Sequence, residues 1–142
     1  MILVFGQSGQ VGRELQVLDN IVTLSRNQAD LSNPIDCEDI IRKHNPDAVI
    51  NAAAYTDVDM AEKEEALATI INGNAPISMA KVCAEIGIPF VHISTDYVFD
   101  GMGDEPWQPN HPTNPQNAYG RSKLVGEKGI ISSGADYVIL RC

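Results

Sequence analysis

Tyr119 and Lys123 are four residues apart in a segment whose pattern predicts a helix. Side chains at this spacing share one face of a helix. A phenol with a pKa near ~10 is a poor acid–base catalyst at neutral pH. A nearby ammonium favours the phenolate, so we expect Lys123 to lower the pKa of Tyr119. Such a tyrosine can exchange a proton with a carbonyl or alcohol oxygen. Proton transfer of this kind is one of the two requirements of an oxidoreductase that acts on such groups, and a hydride source is the other. Taken alone the pair is weak evidence, because most pairs of this kind lie on a surface.

A glycine turn near the N-terminus predicts where a hydride source would bind. The apolar run 2–5 is typical of a strand buried on both faces, and Gly6, Gly9 and Gly12 follow it. A strand, a glycine turn and a helix form the context in which such glycines indicate dinucleotide binding, with the pyrophosphate at the helix N-terminus. A glycine-rich turn without a ligand is the alternative. The apolar stripe of the helix is expected at Leu15, Val17 and Leu18.

The end of the second predicted strand, 21–24, bears on which dinucleotide is bound. An acidic residue there would bind the ribose 2′-hydroxyl of NAD, but the strand ends in Ser25 and Arg26. A hydroxyl and a guanidinium suit the 2′-phosphate of NADP, so NADPH is the predicted cofactor and NADH the alternative. A solvated Arg26 that binds nothing is a further alternative. Asp30 and Leu31 could flank the adenine; the alternative is that Asp30 or Ser32 caps the next helix.

Strand and helix patterns alternate along the rest of the chain. Further strands are predicted over 48–50, 89–94 and 137–140. Helices are predicted over 34–44, 58–71, 75–86 and 117–131, with an interruption at 72–74. We expect Ile35, Ile40 and Ile41 on the apolar face of their helix and His92 as a hydrogen-bonded core residue. The alternation predicts one α/β domain, 1–142, with a Rossmann-like, doubly wound parallel sheet and helices on both faces.

Small and hydroxyl-bearing residues follow two of these strands. Ala54, Tyr55 and Thr56 come after the third strand, and Thr95 comes after the fourth. The carboxyl ends of parallel strands are where such sheets bind ligands. We therefore expect these residues to face the same crevice as the glycine turn. The following loop, 100–116, is long for a compact domain, which is typical of functional or mobile segments.

Composition limits the classes of partner. The formal net charge of -9 disfavours nucleic acid and anionic membrane surfaces. The three cysteines are scattered, which suits a reducing compartment and shows no spacing for a metal or a disulfide. No apolar run approaches the ~18 residues of a membrane span, and no secretory signal is recognisable. We expect a cytoplasmic protein without a metal site.

Four stretches, taken together, resemble the extended short-chain dehydrogenase/reductase superfamily. They are the glycine turn, the segment 51–54, the segment 94–99 and the Tyr119–Lys123 pair. The single motifs are weak, but their order and spacing are specific, and the resemblance covers essentially the whole chain. It implies a Rossmann fold and the reduction of a keto group of a nucleotide sugar by NAD(P)H.

The resemblance also implies individual roles. Tyr119 would be the catalytic acid, Lys123 would support it and hold the nicotinamide ribose, and Thr95 would hydrogen-bond the substrate oxygen. Thr95 and Asp96 would touch the sugar. The cofactor would contact Gly6, Gly9, Gln10, Val11, Gly12, Asp30, Leu31, Ala54, Tyr55 and Thr56, together with Ser25 and Arg26, which are predicted from their chemistry.

Length separates this chain from the superfamily, whose members are two-part enzymes of roughly twice this size. We therefore expect an N-terminal part that lacks the C-terminal substrate-binding part, either as a fragment or as a truncated product. Its sheet would keep an open edge that favours self-association, for example as a homodimer. Two alternatives stay open. A nucleotide-sugar epimerase or dehydratase shares the same motifs, and a non-catalytic NADP-binding regulatory subunit, such as that of methionine adenosyltransferase, resembles the same superfamily.

Overall fold

A computed structural model describes residues 1–142 and contains one five-stranded sheet. The strands are β1 (Ile2–Phe5), β2 (Ile21–Leu24), β3 (Ala48–Asn51), β4 (Phe90–Ser94) and β5 (Tyr137–Arg141). All neighbouring strands are parallel, in the order β2-β1-β3-β4-β5. All five predicted strands are confirmed. The direction in which strands are added reverses between β1 and β3, which is the kind of position where such sheets bind ligands.

Helices connect the strands. They are α1 (Gln10–Leu15), α2 (Pro34–His44), α3 (Val58–Ala61), α4 (Glu65–Thr69), α5 (Ala75–Ile86) and α6 (Ala118–Ile131). A π-helical turn, Ile70–Asn74, joins α4 to α5, and a 3₁₀ turn, Asp96–Val98, follows β4. The N-terminus of α6 is capped by Asn117, whose side chain accepts a hydrogen bond from the backbone N–H of Gly120 at 2.7 Å. No helix is long and apolar enough to cross a membrane.

The predicted helix over 58–71 and its interruption at 72–74 are wrong. The helix breaks after Ala61, and residues 70–74 instead continue α4 into α5. Two tertiary contacts hold this turn. The side chain of Asn72 is hydrogen-bonded to Tyr55 and Ser122. Gly73 admits α6 so closely that a Cβ there would lie 2.9 Å from Val125. Packing thus overrides the weak helix propensity of Asn and Gly.

Two expected apolar stripes are also wrong in part. Helix α1 ends at Leu15, because β2 already begins at Ile21, and Val17 and Leu18 lie in the turn with 76% and 56% exposure. On α2, Ile35 is exposed, whereas Cys37 and Ile41 reach the core. Ile35 lies in the first turn of α2, before the helix reaches the core.

The two faces of the sheet are covered unequally. One face packs against α2, α5 and α6 and forms the main core. Right-handed crossovers leave only α1 on the other face. On that face the strand register aligns Val4, Ile50, Val91 and Val138 in one row. Val4 is fully buried, but Val138 is 51% exposed. We call Ile50, Val91 and Val138 the open face. The doubly wound fold is confirmed, with one face largely open.

Candidate active site

A crevice opens at the carboxyl ends of β1, β2 and β3, where the strand order reverses. Its volume is about 380 Å³, within the usual range of ligand sites. The predicted cofactor residues that line it are Gly6, Gly9, Arg26, Asp30, Leu31, Ala54, Tyr55 and Thr56. Gln10 and Val11, which begin α1, do not line the cavity, and neither do Gly12 and Ser25. The structure therefore gathers most of the predicted set at one place.

The glycine turn is required by backbone crowding. Gly6 has φ 103°, and a Cβ there would lie 2.8 Å from the backbone of Ala52. A Cβ at Gly12 would lie 2.1 Å from the carbonyl oxygen of Gly6. Gly9 is different, because its Cβ would meet only ordinary contacts at 3.5 Å or more. Gly6 and Gly12 thus let the turn close, while Gly9 leaves room in the crevice beside the uncapped N-terminus of α1.

The rim of the crevice carries one exposed cation. The Arg26 side chain is 79% exposed, and its Nε lies 4.0 Å from the Asp30 carboxylate. Asp30 accepts a hydrogen bond from the backbone N–H of Ser32 at 2.9 Å, and this bond is the main cause of its lowered pKa. The hydroxyl of Ser25 donates to Gln28 at 2.9 Å. Arg26 is held only by a loose surface ion pair and can turn toward a ligand.

Thr95, Tyr119 and Lys123 come together at the carboxyl end of β4, and we call these three residues with Glu127 the catalytic corner. The side chain of Thr95 accepts a hydrogen bond from the backbone N–H of Tyr97 at 3.1 Å. Its hydroxyl is close enough to the Tyr119 phenol to lower the pKa of that phenol in part. The rings of Tyr97 and Tyr119 meet edge to face, with 5.7 Å between centroids. The predicted trio is therefore assembled by the fold.

The acid–base properties of the pair differ from the prediction. The pKa of Tyr119 is raised, because burial of the phenol outweighs its hydrogen bond to Thr95. The ammonium of Lys123 is 1% exposed and donates to the backbone carbonyl of Ile93 at 2.7 Å. Burial lowers the pKa of Lys123 to about 8. The expected lowering of the Tyr119 pKa by Lys123 is wrong, since the ammonium is engaged by the backbone of β4.

Glu127 is a site residue that the sequence analysis missed. It lies one helical turn beyond Lys123 and is 1% exposed. Its Oε1 accepts from the Ser94 hydroxyl at 2.5 Å and from Arg141 Nε at 3.0 Å, and its Oε2 accepts from Arg141 Nη2 at 2.7 Å. The signal was in the sequence, because Tyr119, Lys123 and Glu127 follow one another at helical spacing on one face.

Asn72 links the crevice to α6 and was also missed. Its Oδ1 accepts the backbone N–H of Tyr55 at 2.8 Å, and its Nδ2 donates to the Tyr55 carbonyl and the Ser122 hydroxyl, both at 3.0 Å. One side chain thus fixes the wall of the crevice and the neighbour of Lys123. Only a helix-weakening residue was recognised at this position. Other lining residues outside the predicted set include Ser8, Ala29, Leu67 and Ile71.

His92 is buried in β4, as predicted, but only one ring nitrogen has a partner. Asn51 Oδ1 accepts the backbone N–H of Ala53 at 3.1 Å, so Asn51 Nδ2 donates to His92 Nδ1 at 3.2 Å. The neutral ring then carries its proton on Nε2, which has no hydrogen-bond partner. Burial lowers the pKa of His92 well below its usual value. The prediction of a hydrogen-bonded core residue therefore holds for one nitrogen only.

The long loop is attached to the corner through aromatic contacts. Phe99 stacks on Trp107 with 4.6 Å between centroids, and the Arg141 guanidinium lies 5.0 Å from the Phe99 ring. Arg141 also donates to the Pro109 carbonyl at 3.0 Å. A hollow of about 230 Å³ lies between this loop and the 3₁₀ turn, lined in part by Asp96. The loop is irregular but has defined contacts.

The glycine turn at the strand reversal and the Thr–Tyr–Lys corner define a Rossmann-fold protein of the extended short-chain dehydrogenase/reductase type. A family model described as the RmlD substrate binding domain matches residues 1–142. The chain belongs to this family.

Named relatives agree with this assignment. The chain is 46% identical over 144 residues to dTDP-4-dehydrorhamnose reductase of Burkholderia thailandensis, covering 99% of the chain and 48% of the relative. It is 43% identical to the Salmonella typhimurium reductase, covering 99% and 50%. The chain therefore spans about half the length of these relatives.

Solved structures give the same result. A dTDP-4-dehydrorhamnose reductase from Clostridium acetobutylicum superposes with TM-score 0.93 at 37% identity, covering 99% of the chain and 52% of that structure. The Bacillus anthracis enzyme in complex with NADP superposes with TM-score 0.93 at 34% identity, covering 99% and 52%. A dTDP-glucose 4,6-dehydratase from Streptomyces venezuelae shares the fold at 21% identity.

Proposed function

We propose that this chain is the cofactor-binding part of an NADPH-dependent reductase that converts dTDP-4-dehydro-L-rhamnose to dTDP-L-rhamnose by reducing the C4 keto group. The observation that carries the proposal is the assembly of Thr95, Tyr119 and Lys123 beside a glycine-lined crevice. The relatives above 40% identity are reductases of this kind, whereas the dehydratase neighbour is similar only in fold. These facts favour a reductase over an epimerase, a dehydratase or a regulatory subunit.

The crevice fits a dinucleotide. Gly6 and Gly12 bring the turn so close to β1 and β3 that a side chain would collide with the backbone. Such a turn lets a pyrophosphate approach the backbone and the helix N-terminus. We infer that Gly9, Gln10 and Val11 lie along the pyrophosphate.

The rest of the cofactor would lie along the other predicted residues. Asp30 and Leu31 would border the adenine, and Ala54, Tyr55 and Thr56 would line the nicotinamide side. Arg26 would bind the 2′-phosphate from the rim. Ser25 is already engaged by Gln28, so it would add little to that contact.

The residues of the catalytic corner suit reduction. The bound cofactor supplies a hydride to the C4 carbon. As negative charge grows on the C4 oxygen, the Tyr119 phenol donates a proton to it and the Thr95 hydroxyl donates a hydrogen bond. Because burial raises the pKa of Tyr119, the phenol is protonated at neutral pH, as an acid catalyst must be. Asp96, beside Thr95, would contact the sugar, and Lys123 would hold the nicotinamide ribose.

Activity can be tested in a chimaera in which this chain replaces the matching half of the Salmonella typhimurium reductase. We expect oxidation of NADPH that depends on dTDP-4-dehydro-L-rhamnose. A chimaera that folds and binds NADPH but leaves this substrate unchanged would refute the proposed reaction. The same protein would then be assayed with other 4-keto nucleotide sugars.

Cofactor choice can be tested on the chain alone. NADPH should bind at least about tenfold more tightly than NADH, since a charged hydrogen bond contributes about 1.5–3 kcal/mol. Arg26→Ala should abolish the difference. Arg42→Ala is the matched control, because Arg42 is paired with Glu85 on the surface, away from the crevice. Equal affinities in the unaltered chain would contradict the preference for NADPH.

A further inference from the structure

Glu127 is the most highly connected buried charge in the molecule. It lies on α6 and receives hydrogen bonds from Ser94, at the end of β4, and from Arg141, on β5. Ser94 directly precedes Thr95, and Lys123 lies one helical turn away on α6. Glu127 therefore connects the two segments that carry the other residues of the catalytic corner: the end of β4, which precedes Thr95, and α6, which carries Tyr119 and Lys123.

A buried carboxylate is costly unless its charge and its lone pairs are satisfied. Glu127 meets this requirement with a two-point contact to a guanidinium and a third bond from a hydroxyl. A neutral apolar residue of similar size would stabilise the fold about as well in many proteins. Stability alone therefore does not explain why a carboxylate, rather than an apolar side chain, is buried at position 127.

We propose that Glu127 is a positioning residue of the active site, which joins α6 to the ends of β4 and β5 and so sets the relative positions of Thr95, Tyr119 and Lys123. This inference rests on the proposed function of those three residues. Glu127 acts through Ser94 on the strand end that carries Thr95. It acts through its charge on the ammonium of Lys123.

The charge of Glu127 opposes the effect of burial on Lys123. Burial alone would favour the neutral amine, and the carboxylate of Glu127 raises the Lys123 pKa again. The other titratable or charged groups around Lys123 are Tyr119 on α6, His92 on β4, and Arg141 and Cys142 at the end of β5. Of the charges that raise the Lys123 pKa, that of Glu127 has the largest effect. Losing its charge should let Lys123 release its proton at lower pH.

The test is an NMR titration of the chain labelled at lysine Cε, with Lys123→Met used to assign the signal among the five lysines. Lys123 should titrate near pH 8 in the unaltered chain and about one pH unit lower in Glu127→Gln. Glu65→Gln is the matched control. It removes an exposed ion pair between Glu65 and Arg121 of the same helix and should leave the Lys123 titration unchanged.

A second variant covers the case in which Glu127→Gln does not fold. Glu127→Gln with Arg141→Met removes the buried carboxylate together with its partly buried partner. Lys123 should again titrate at lower pH, by less than in Glu127→Gln, because the lost guanidinium had opposed protonation of the amine. An unchanged titration in either folded variant would overturn the inference. Failure of both variants to fold would also overturn it, because Glu127 would then serve the fold alone.

The chimaera gives a second readout. The basic limb of the kcat/KM profile should move to lower pH in Glu127→Gln, which a merely structural defect would not cause. If the chimaera has no reductase activity, the proposed function fails, but the lysine titration still decides the role of Glu127.

Discussion

The crevice and the catalytic corner lie on neighbouring strand ends, yet they are built by different means. The crevice is made by the absence of side chains, with Gly6 and Gly12 allowing backbone to meet backbone. The corner is made by two buried charged side chains, Lys123 and Glu127, each about 1% exposed. The Lys123 ammonium is satisfied by a backbone carbonyl of β4, and the Glu127 carboxylate by Ser94 and Arg141. A site of the first kind depends on space, and a site of the second kind depends on charge balance.

This difference predicts how each region fails. Added volume should disrupt the crevice, because its backbone cannot move away from a new methyl group. Lost charge or a lost hydroxyl should disrupt the corner while leaving the crevice able to bind. Asn72 is the exception, since its side chain is hydrogen-bonded to both regions.

The largest expected effect is that of Tyr119→Phe in the chimaera. Loss of the proton donor should reduce kcat by about 10²–10⁴-fold, while NADPH affinity stays nearly unchanged, because the crevice is intact. The loss of NADPH absorbance measures kcat, and equilibrium binding measures the affinity for NADPH. Tyr137→Phe, which removes a hydroxyl from β5, serves as the control. Substantial turnover in Tyr119→Phe would mean that another group donates the proton.

Gly12→Ala should have the next largest effect, now on the fold of the crevice. The new Cβ would lie 2.1 Å from the Gly6 oxygen, and such overpacking costs about 3 kcal/mol. The free energy of unfolding in urea measures the loss. Gly9→Ala is the matched variant, and it should change stability by less than about 0.5 kcal/mol but weaken NADPH binding. Equal destabilisation by both variants would contradict the division of roles among the glycines.

Asn72→Ala should destabilise the chain by about 2 kcal/mol, because it leaves the partly buried backbone groups of Tyr55 without their partners. It should also weaken NADPH binding, since the wall of the crevice loses its anchor. Urea unfolding and fluorescence titration test the two effects. Asn74→Ala changes an exposed residue of the same π turn and should do neither. A loss of stability without a loss of binding would show that Asn72 supports only α6.

The last effect is a dependence of stability on pH. The pKa of Lys123 is about 8 in the folded chain, below its usual 10.5. Between these values the folded chain has released a proton that the unfolded chain retains. The free energy of unfolding should therefore rise with pH in this window, by at most about 1.4 kcal/mol per pH unit. Lys123→Met should lack this contribution when both proteins are unfolded in urea from about pH 8 to about pH 10. If the free energies of unfolding of the two proteins changed with pH in the same way, the pKa of Lys123 would not be lowered in the folded chain.

The fold was largely predictable where local pattern and tertiary structure agree. The run Ile2–Phe5 is apolar at every position, as a central parallel strand requires, and the structure confirms it as β1. The helix that carries Tyr119 was also predicted, because its local pattern agrees with its place in the tertiary structure. Prediction failed at Asn72 and Gly73, whose low helix propensity is overcome by contacts with distant residues. No local pattern contains such contacts.

The site divides in the same way. Glycine spacing carries information about the crevice, because crowding of the backbone excludes other residues. The direction of the Lys123 ammonium could not be predicted, since it depends on the Ile93 carbonyl 30 residues away in sequence. Glu127 was recognisable in principle from its helical spacing. Its partner Arg141 was not, because β5 reaches α6 only in the folded chain.

The open face affects how stability responds to temperature. Unfolding raises the heat capacity in proportion to the apolar area that it newly exposes to water. Val138 is already 51% exposed in the folded chain, and Ile50 and Val91 are only partly covered. We therefore expect a heat-capacity increment below the usual value of about 12–15 cal/mol/K per residue. The stability curve of this chain should be correspondingly flat, so that cooling weakens it less than it weakens a domain with both faces of its sheet covered.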